Sequence, residues 1–516
     1  MKMLSAMDAT FLYLESEHSP MAIGGIYTID AADAPPGFGY ASWHALVGSR
    51  LKCSKVFRQR LVEVPWGLSH PYWINDPDFD LDIHLPRLAL PGPGGADELM
   101  QLAADIWSRE LDRERPLWEL NFVEGLDTVA GLSPGSCALI TRVHHASVDG
   151  GAATEMMTAL MDLSPQIRQI EGDDDWEAEH LPSTLGLITR SWGKIGHKAI
   201  GLAGFVGKAA TGTVRVQGDK RIHELNPPPR LMSAPPSVFN GPIASRRMYR
   251  GVDFDFNRVK SLRSAVAGAT VNDVILSVCA GGLRSYLSEN SLLPAKPLVA
   301  MAPISVREEQ QKGEDGNQVS AMLVGLATDI DDPLERLRCI HENTKSSKIH
   351  ASAVPANRIT EFIPSETLAA AARVYTRTRL GGQHRPFFNV TITNVPGPPV
   401  PLFVAGAKIS RIYGMAPILD GLGLLLVIFS YAGRISIGIT SCQDMVPDPE
   451  RLAECFEQSL IELESSTGQL DQLSTESEQG AAVQVAADEN DPLREFHEAS
   501  RALEAAIELL KGEEET

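Results

Sequence analysis

An acidic run over 171–179, followed by prolines at Pro227-Pro228-Pro229 and Pro235-Pro236, breaks this chain of 516 residues in two. Length argues the same way, because a single hydrophobic core stops growing at about 250–300 residues and longer chains divide. The blocks on either side, 1–165 and 242–464, each mix the two hydrophobic periods. In the first, 41–61 and 96–111 repeat at helical spacing, while 117–124 and 137–144 read as strands. In the second, 246–254, 387–393, 424–431 and 434–440 read as strands, and 272–287, 333–350 and 449–463 as helices. Two blocks of similar size and mixed class predict a pseudo-twofold α/β architecture. The segment between them, 166–241, reads as a linker in which 171–179 is a solvated loop and the prolines mark an extended stretch.

Within that linker, 185–216 intersperses Leu187, Ile188, Trp192, Ile195 and Phe205 with Arg190, Lys194, Lys198, Lys208 and Arg215. Such a cationic amphipathic helix lies on an anionic lipid surface or packs across the domain junction, and the pattern favours neither. Past the second block, 465–491 is polar and acidic enough to be disordered. Leu493, Phe496, Leu503, Ile507 and Leu510 then predict an amphipathic helix after Pro492. Its face has three uses open to it: packing on the body, pairing two chains into a homodimer, or touching lipid.

A formal net charge of -20 argues against a nucleic-acid partner. The six cysteines follow no repeated spacing, as expected of reduced core residues in a cytoplasmic protein. The first 17 residues lack the order of a signal peptide. The most apolar run, 421–429, is far shorter than the about 20 residues that span a bilayer, so it reads as a buried strand and any membrane contact as peripheral.

Chemistry concentrates at His144-His145-Ala146-Ser147-Val148-Asp149-Gly150. This stretch connects a strand over 137–143 to a helix over 152–163 whose Met156, Met157, Leu160 and Leu163 share a face, and Gly150 and Gly151 loosen the connection. A histidine on such a loop is a candidate general base, since its pKa lies near the working pH. Asp149 has two jobs open to it, orienting an imidazole or pairing with a cation such as Arg142, and the second is favoured. The competing readings are a hydrogen-bonded core histidine and a metal site. Adjacent histidines on an extended chain face opposite ways, and no HExxH or paired CxxC adds ligands.

The heptad resembles the HHxxxDG signature of the bacterial wax ester synthase/diacylglycerol acyltransferases, relatives of the chloramphenicol acetyltransferase and condensation-domain superfamily. Further blocks resemble that family in order: Leu4-Ser5-Ala6-Met7-Asp8-Ala9, Pro20-Met21 with Gly24-Gly25, Phe57-Arg58-Gln59-Arg60-Leu61, Pro116-Leu117-Trp118 with Val123-Glu124-Gly125, and Val271-Asn272-Asp273-Val274. So do Pro303-Ile304-Ser305-Val306-Arg307, Gly316-Asn317, Asp332-Pro333 with Arg336-Leu337, and Thr393-Asn394-Val395-Pro396-Gly397-Pro398. The resemblance runs to about Leu463.

It implies two chloramphenicol acetyltransferase-like domains with an active-site channel between them. It implies an acyltransferase that moves a long acyl group from acyl-CoA, a substrate rather than a cofactor, to diacylglycerol or a long-chain alcohol. By matching positions, His145 is the reacting histidine and His144 a supporting one, with Asp149 and Gly150 completing the motif. Asn272 is the candidate donor to the oxyanion, its alternative being the N-cap of its own helix; Asp273 is expected to cap or orient that helix. Pro116, Leu117 and Trp118 resemble the segment that shapes the acyl channel, with strand packing as the alternative. Arg307 and Asn394 match family blocks whose plainer reading is loop geometry. No GxSxG elbow accompanies the histidines, so transfer from thioester to alcohol is expected to be direct. Two other functions stay open: acyl transfer from a carrier or polyketide, and a lipid-surface protein with vestigial catalytic residues that works through 185–216. The acceptor is not legible, because each methylene in an apolar tunnel is worth only about 1–3 kcal/mol.

Overall fold

The computed structural model describes residues 1–148, 156–170, 174–189, 229, 232–305, 319–353, 378 and 385–468. In chain order the first half contributes β1 (Lys2–Met3), α1 (Ala6–Leu14), β2 (Ala22–Ile29), α2 (Tyr40–Arg50), β3 (Gln59–Val62), β4 (Tyr72–Asn75), α3 (Leu81–His84), β5 (Arg87–Ala89), α4 (Ala96–Trp107), β6 (Trp118–Glu124) and β7 (Cys137–His144). The second contributes β8 (Arg247–Asp255), α5 (Phe256–Leu262), α6 (Val271–Glu289), β9 (Val299–Ser305), β10 (Val319–Gly325), α7 (Pro333–Ala353), β11 (Val390–Pro396), β12 (Phe403–Val404), β13 (Ala407–Met415), β14 (Leu424–Tyr431), β15 (Arg434–Cys442) and α8 (Pro449–Thr467).

These build two six-stranded mixed sheets, ordered β12-β13-β2-β7-β6-β5 and β10-β9-β11-β14-β15-β8, with β1-β4-β3 as a small third. The two-domain α/β architecture is as expected, with one exchange. The hairpin β12–β13 comes from the second half of the chain but completes the first sheet, where β13 runs antiparallel to β2 and sets Tyr413 opposite Ile26.

Both faces of the first sheet are buried, as the alternation along β7 requires. Leu139 and Val143 pack with Trp43, Phe57, Trp118 and Phe122 on one face; Ala138 and Ile140 pack with Leu12, Met100 and Trp107 on the other. In the second sheet, the apolar strand β14 lies between β11 and β15 under α6 and α8. Among the described residues no helix is long and apolar enough to cross a membrane.

Several expectations are corrected. The helix predicted over 41–61 ends at Arg50, whose buried guanidinium gives hydrogen bonds to both carboxylate oxygens of Asp162, each at 3.1 Å, and to the carbonyls of Ala159 and Arg168. Ser54 then caps a short turn and β3 follows, because 59–62 finds a partner in β4. The described part of the acidic run, 174–179, is a largely exposed loop as expected, and two of its carboxylates are tethered to the body. Asp174 takes two hydrogen bonds from Arg58, at 2.6 and 2.7 Å, and Glu179 accepts from the N-terminal amine and from Asn75 N–H. Phe239, expected within the linker 166–241, is fully buried in the second core. Of the helix expected over 152–163, residues 156–160 are helical and bury Met156 and Leu160, while Leu163 is exposed. The segment 190–216 and the terminal amphipathic stretch lie outside the described residues.

Candidate active site

β7 runs between β2 and β6 and delivers His144 at its last position, opposite Ala22. There the two histidines are drawn to opposite neighbours: His144 N–H donates to Leu117 O at 2.9 Å, His145 N–H to Met21 O at 2.8 Å. The chain then tightens into a single 3-10 turn, His145–Ser147.

His144 is buried, and its Nδ1 caps that turn by accepting Ala146 N–H at 3.0 Å. A ring nitrogen that accepts carries no proton, so the proton of His144 sits on Nε2. Nε2 lies 3.3 Å from Glu15 Oε1. Glu15 is also buried. Its Oε1 accepts Met21 N–H at 3.1 Å, and its Oε2 accepts Arg113 Nε and Nη2 at 3.1 and 2.7 Å. Burial acts to raise its pKa but is outweighed by the His144 ring, the Met21 N–H and the Arg113 guanidinium, which together hold it at about 2.

His145 is only half-buried, so its side chain is not sealed in the interior. Its ring stacks on Phe11 with centroids 3.7 Å apart and planes 12° from parallel. Burial pushes its pKa down to about 4; its own main-chain carbonyl acts against this and the neighbouring His144 ring adds to it. The imidazole is therefore neutral at neutral pH, with a lone pair available for a proton.

Phe11 and Glu15 went unnoticed in the sequence. The available signal was their spacing: four residues apart along α1 and its C-cap, they face the same way. One meets each histidine.

Pro116, Leu117 and Trp118 are all buried. The Trp118 indole donates to Phe57 O at 2.9 Å and stacks on His84, while Leu117 supplies the carbonyl that holds His144. Arg142, offered above as a partner for Asp149, gives its hydrogen bonds to Glu119 at 2.8 Å and to the carbonyls of Ile106 and Arg109. Asp149, Gly150 and Arg307 lie outside the described residues.

A second constellation sits in the other half. The N-cap of α6 is Thr270, not Asn272: Thr270 Oγ1 accepts Asp273 N–H and the Asp273 carboxylate accepts Thr270 N–H at 2.9 Å. Asp273 is buried and also meets His341 Nδ1 at 2.9 Å and Thr344 Oγ1 at 2.6 Å, tying α6 to α7. Asn272, one residue earlier and partly exposed, accepts at Oδ1 from Asn394 Nδ2 at 3.1 Å. The segment leading into β2 links the halves: Ser19 Oγ donates to Ile418 O at 2.7 Å, and His18 Nδ1 lies 2.6 Å from Ser245 Oγ.

Residues 4–275 match the family model of the wax ester synthase/diacylglycerol acyltransferase catalytic domain, and residues 315–464 that of the corresponding C-terminal domain. A putative diacylglycerol O-acyltransferase of Mycobacterium tuberculosis (strain CDC 1551) is 32% identical over 469 residues, covering 90% of each chain. Another bearing that description, from strain H37Rv, is 35% identical over 467 residues, which are 90% of this chain and 100% of that one. Among solved structures, the wax ester synthase/diacylglycerol acyltransferase from Marinobacter aquaeolei VT8 superposes with a TM-score of 0.65 at 29% identity, covering 91% of this chain and 100% of its own.

Proposed function

Because the chain belongs to the wax ester synthase/diacylglycerol acyltransferase family, we propose that His145 is the general base with which it transfers an acyl group from acyl-CoA to a hydroxyl. The chain is an O-acyltransferase, and its acceptors are a diacylglycerol or an alcohol. The observation that carries the assignment is the placement of the ring. His145 is neutral, stacked on Phe11 and held at its backbone by Met21.

The hydroxyl proton passes to His145 as the acceptor oxygen bonds to the thioester carbonyl carbon. The carbonyl electrons move onto oxygen, and the resulting tetrahedral oxyanion needs a donor. Asn272 suits that role, because its Oδ1 is already occupied by Asn394, which leaves the amide N–H groups to be given elsewhere. When the intermediate collapses, the carbon–sulfur bond breaks and the departing thiolate takes the proton from the imidazolium. An ester and free coenzyme A remain, with no covalent enzyme intermediate and no cofactor. On this reading the transfer occurs in a channel between the domains, shaped on one side by the segment Pro116 to Trp118.

Lipid acceptors favour peripheral residence at a cytoplasmic lipid surface. Trp66, 83% exposed, and Leu185, 72% exposed, support this, since Leu187 packs in one cluster with Val64 and Tyr72 and so holds the two regions together.

The experiment is turnover of palmitoyl-CoA with hexadecanol or dioleoylglycerol, followed by thiol release. His145→Ala is expected to abolish it while the circular dichroism spectrum stays native. Full turnover by that variant would remove His145 as the base.

A further inference from the structure

General-base catalysis leaves Glu15 without a task, although its carboxylate meets His144 Nε2 and the N–H of Met21, the residue that holds His145 by its backbone. We propose that Glu15 is a positioning residue: its carboxylate fixes the tautomer of His144 and, through it, the turn that presents His145. This rests on the reading of His145 as the base.

The two oxygens of Glu15 divide the work. Oε2 takes both hydrogen bonds from Arg113, and Arg113 is itself anchored to Leu12 O at 3.0 Å and to Glu63 at 3.1 Å. That leaves Oε1 for the site, where it meets Met21 N–H at 3.1 Å and His144 Nε2 at 3.3 Å. Met21 passes the hold onward, since its carbonyl accepts His145 N–H. Glu15 therefore governs the side chain of one histidine and, through one residue, the backbone of the next.

The tautomer matters because His144 Nδ1 must accept Ala146 N–H to cap the turn. With the proton on Nδ1 instead, two N–H groups would face each other and the cap would be lost. A carboxylate can only accept, so it favours the proton on Nε2. Glutamine has the same shape but can donate to Nε2 and stabilise the wrong tautomer, as a neutral amide does in a histidine–carboxylate pair.

The test uses the full chain with Glu15→Gln, His144→Asn and the double variant. In wild type, long-range proton–nitrogen correlation of 15N-histidine protein is expected to show His144 protonated on Nε2, its signals identified by their loss in His144→Asn. In Glu15→Gln the proton moves to Nδ1 and kcat falls on the order of 100-fold, with KM for palmitoyl-CoA unchanged. Asparagine caps the turn without a tautomer to choose, so Glu15→Gln adds little to His144→Asn. An Nδ1 proton on His144 in wild type overturns the proposal, as does an equal loss of kcat in both backgrounds. The wild-type spectrum decides the matter even where Glu15→Gln does not fold. Retained turnover in His145→Ala would instead remove the base and leave the tautomer result standing.

Discussion

An imidazole laid face to face on a phenyl ring gives up most of the water that would solvate its cation, and His145 bears that cost beside Phe11. Its pKa falls to about 4 from an ordinary 6.5. The sign follows directly: the neutral form is the favoured one, so the base is lost only as pH falls through about 4. The acid limb of kcat/KM is expected near that value, and Phe11→Ala, which admits water, should move it up towards 6.5. A wild-type limb at 6.5 would mean that a solvated histidine does the chemistry. Glu15, held at about 2 against an ordinary 4.5, stabilises the fold fully above 4.5 and loses that contribution as pH falls towards 2. Activity should thus disappear before the Glu15 contacts are fully lost. At this scale the sequence displayed the histidines because they are adjacent in the chain. It concealed Glu15 and Arg113 because their contacts with His144 and with each other join separate stretches of chain. Asn272 and Asn394 were both visible, but the hydrogen bond between them depends on α6 and β11 being neighbours.

Strands and helices were legible where their neighbours agreed with their own pattern. β14 spans Leu424–Tyr431 as its apolar run suggests, and β7 ends at His144. α2 was overrun because apolar spacing continues past Arg50 by coincidence, while pairing with β4 decides the fate of 59–62. β2 escaped notice for a different reason: Gly24 and Gly25 interrupt its alternation. Gly24 has φ +156°, and a Cβ there would lie 2.1 Å from Thr141 O, a backbone atom that cannot swing aside. The glycine that blurs the strand is what lets it sit against β7. Gly24→Ala is accordingly expected to destabilise by about 1–3 kcal/mol, read from the midpoint of urea unfolding. An unchanged midpoint would mean that the strands can part there at no cost.

Across the whole molecule, the halves meet too closely to act as separate bodies. A Cβ on Gly438 would lie 2.0 Å from Gly414 O, Tyr249 donates to that same carbonyl at 2.9 Å, and Tyr413 donates to Asp253 at 3.0 Å. Arg250 on β8 pairs with Asp97 on α4. All 7 tryptophans precede residue 193, so no fluorophore of this kind lies in the second block. Thermal unfolding followed by tryptophan fluorescence and by far-ultraviolet circular dichroism is expected to give coincident curves. A separate earlier transition in either signal would show halves that come apart. The division into two blocks was readable from composition, whereas the exchange of a hairpin between them was not, because nothing within β13 records which sheet it joins.

The placement of β13 also imposes an order on biosynthesis. The ribosome must reach Met415 before β2 has its second neighbour, and β2 lies directly beside the strand that bears the histidines. A nascent chain therefore carries its acyl-transfer machinery on an unfinished sheet through most of translation, with one bare edge open to stray pairing. Competence arrives late and all together, and a truncated messenger yields no working half.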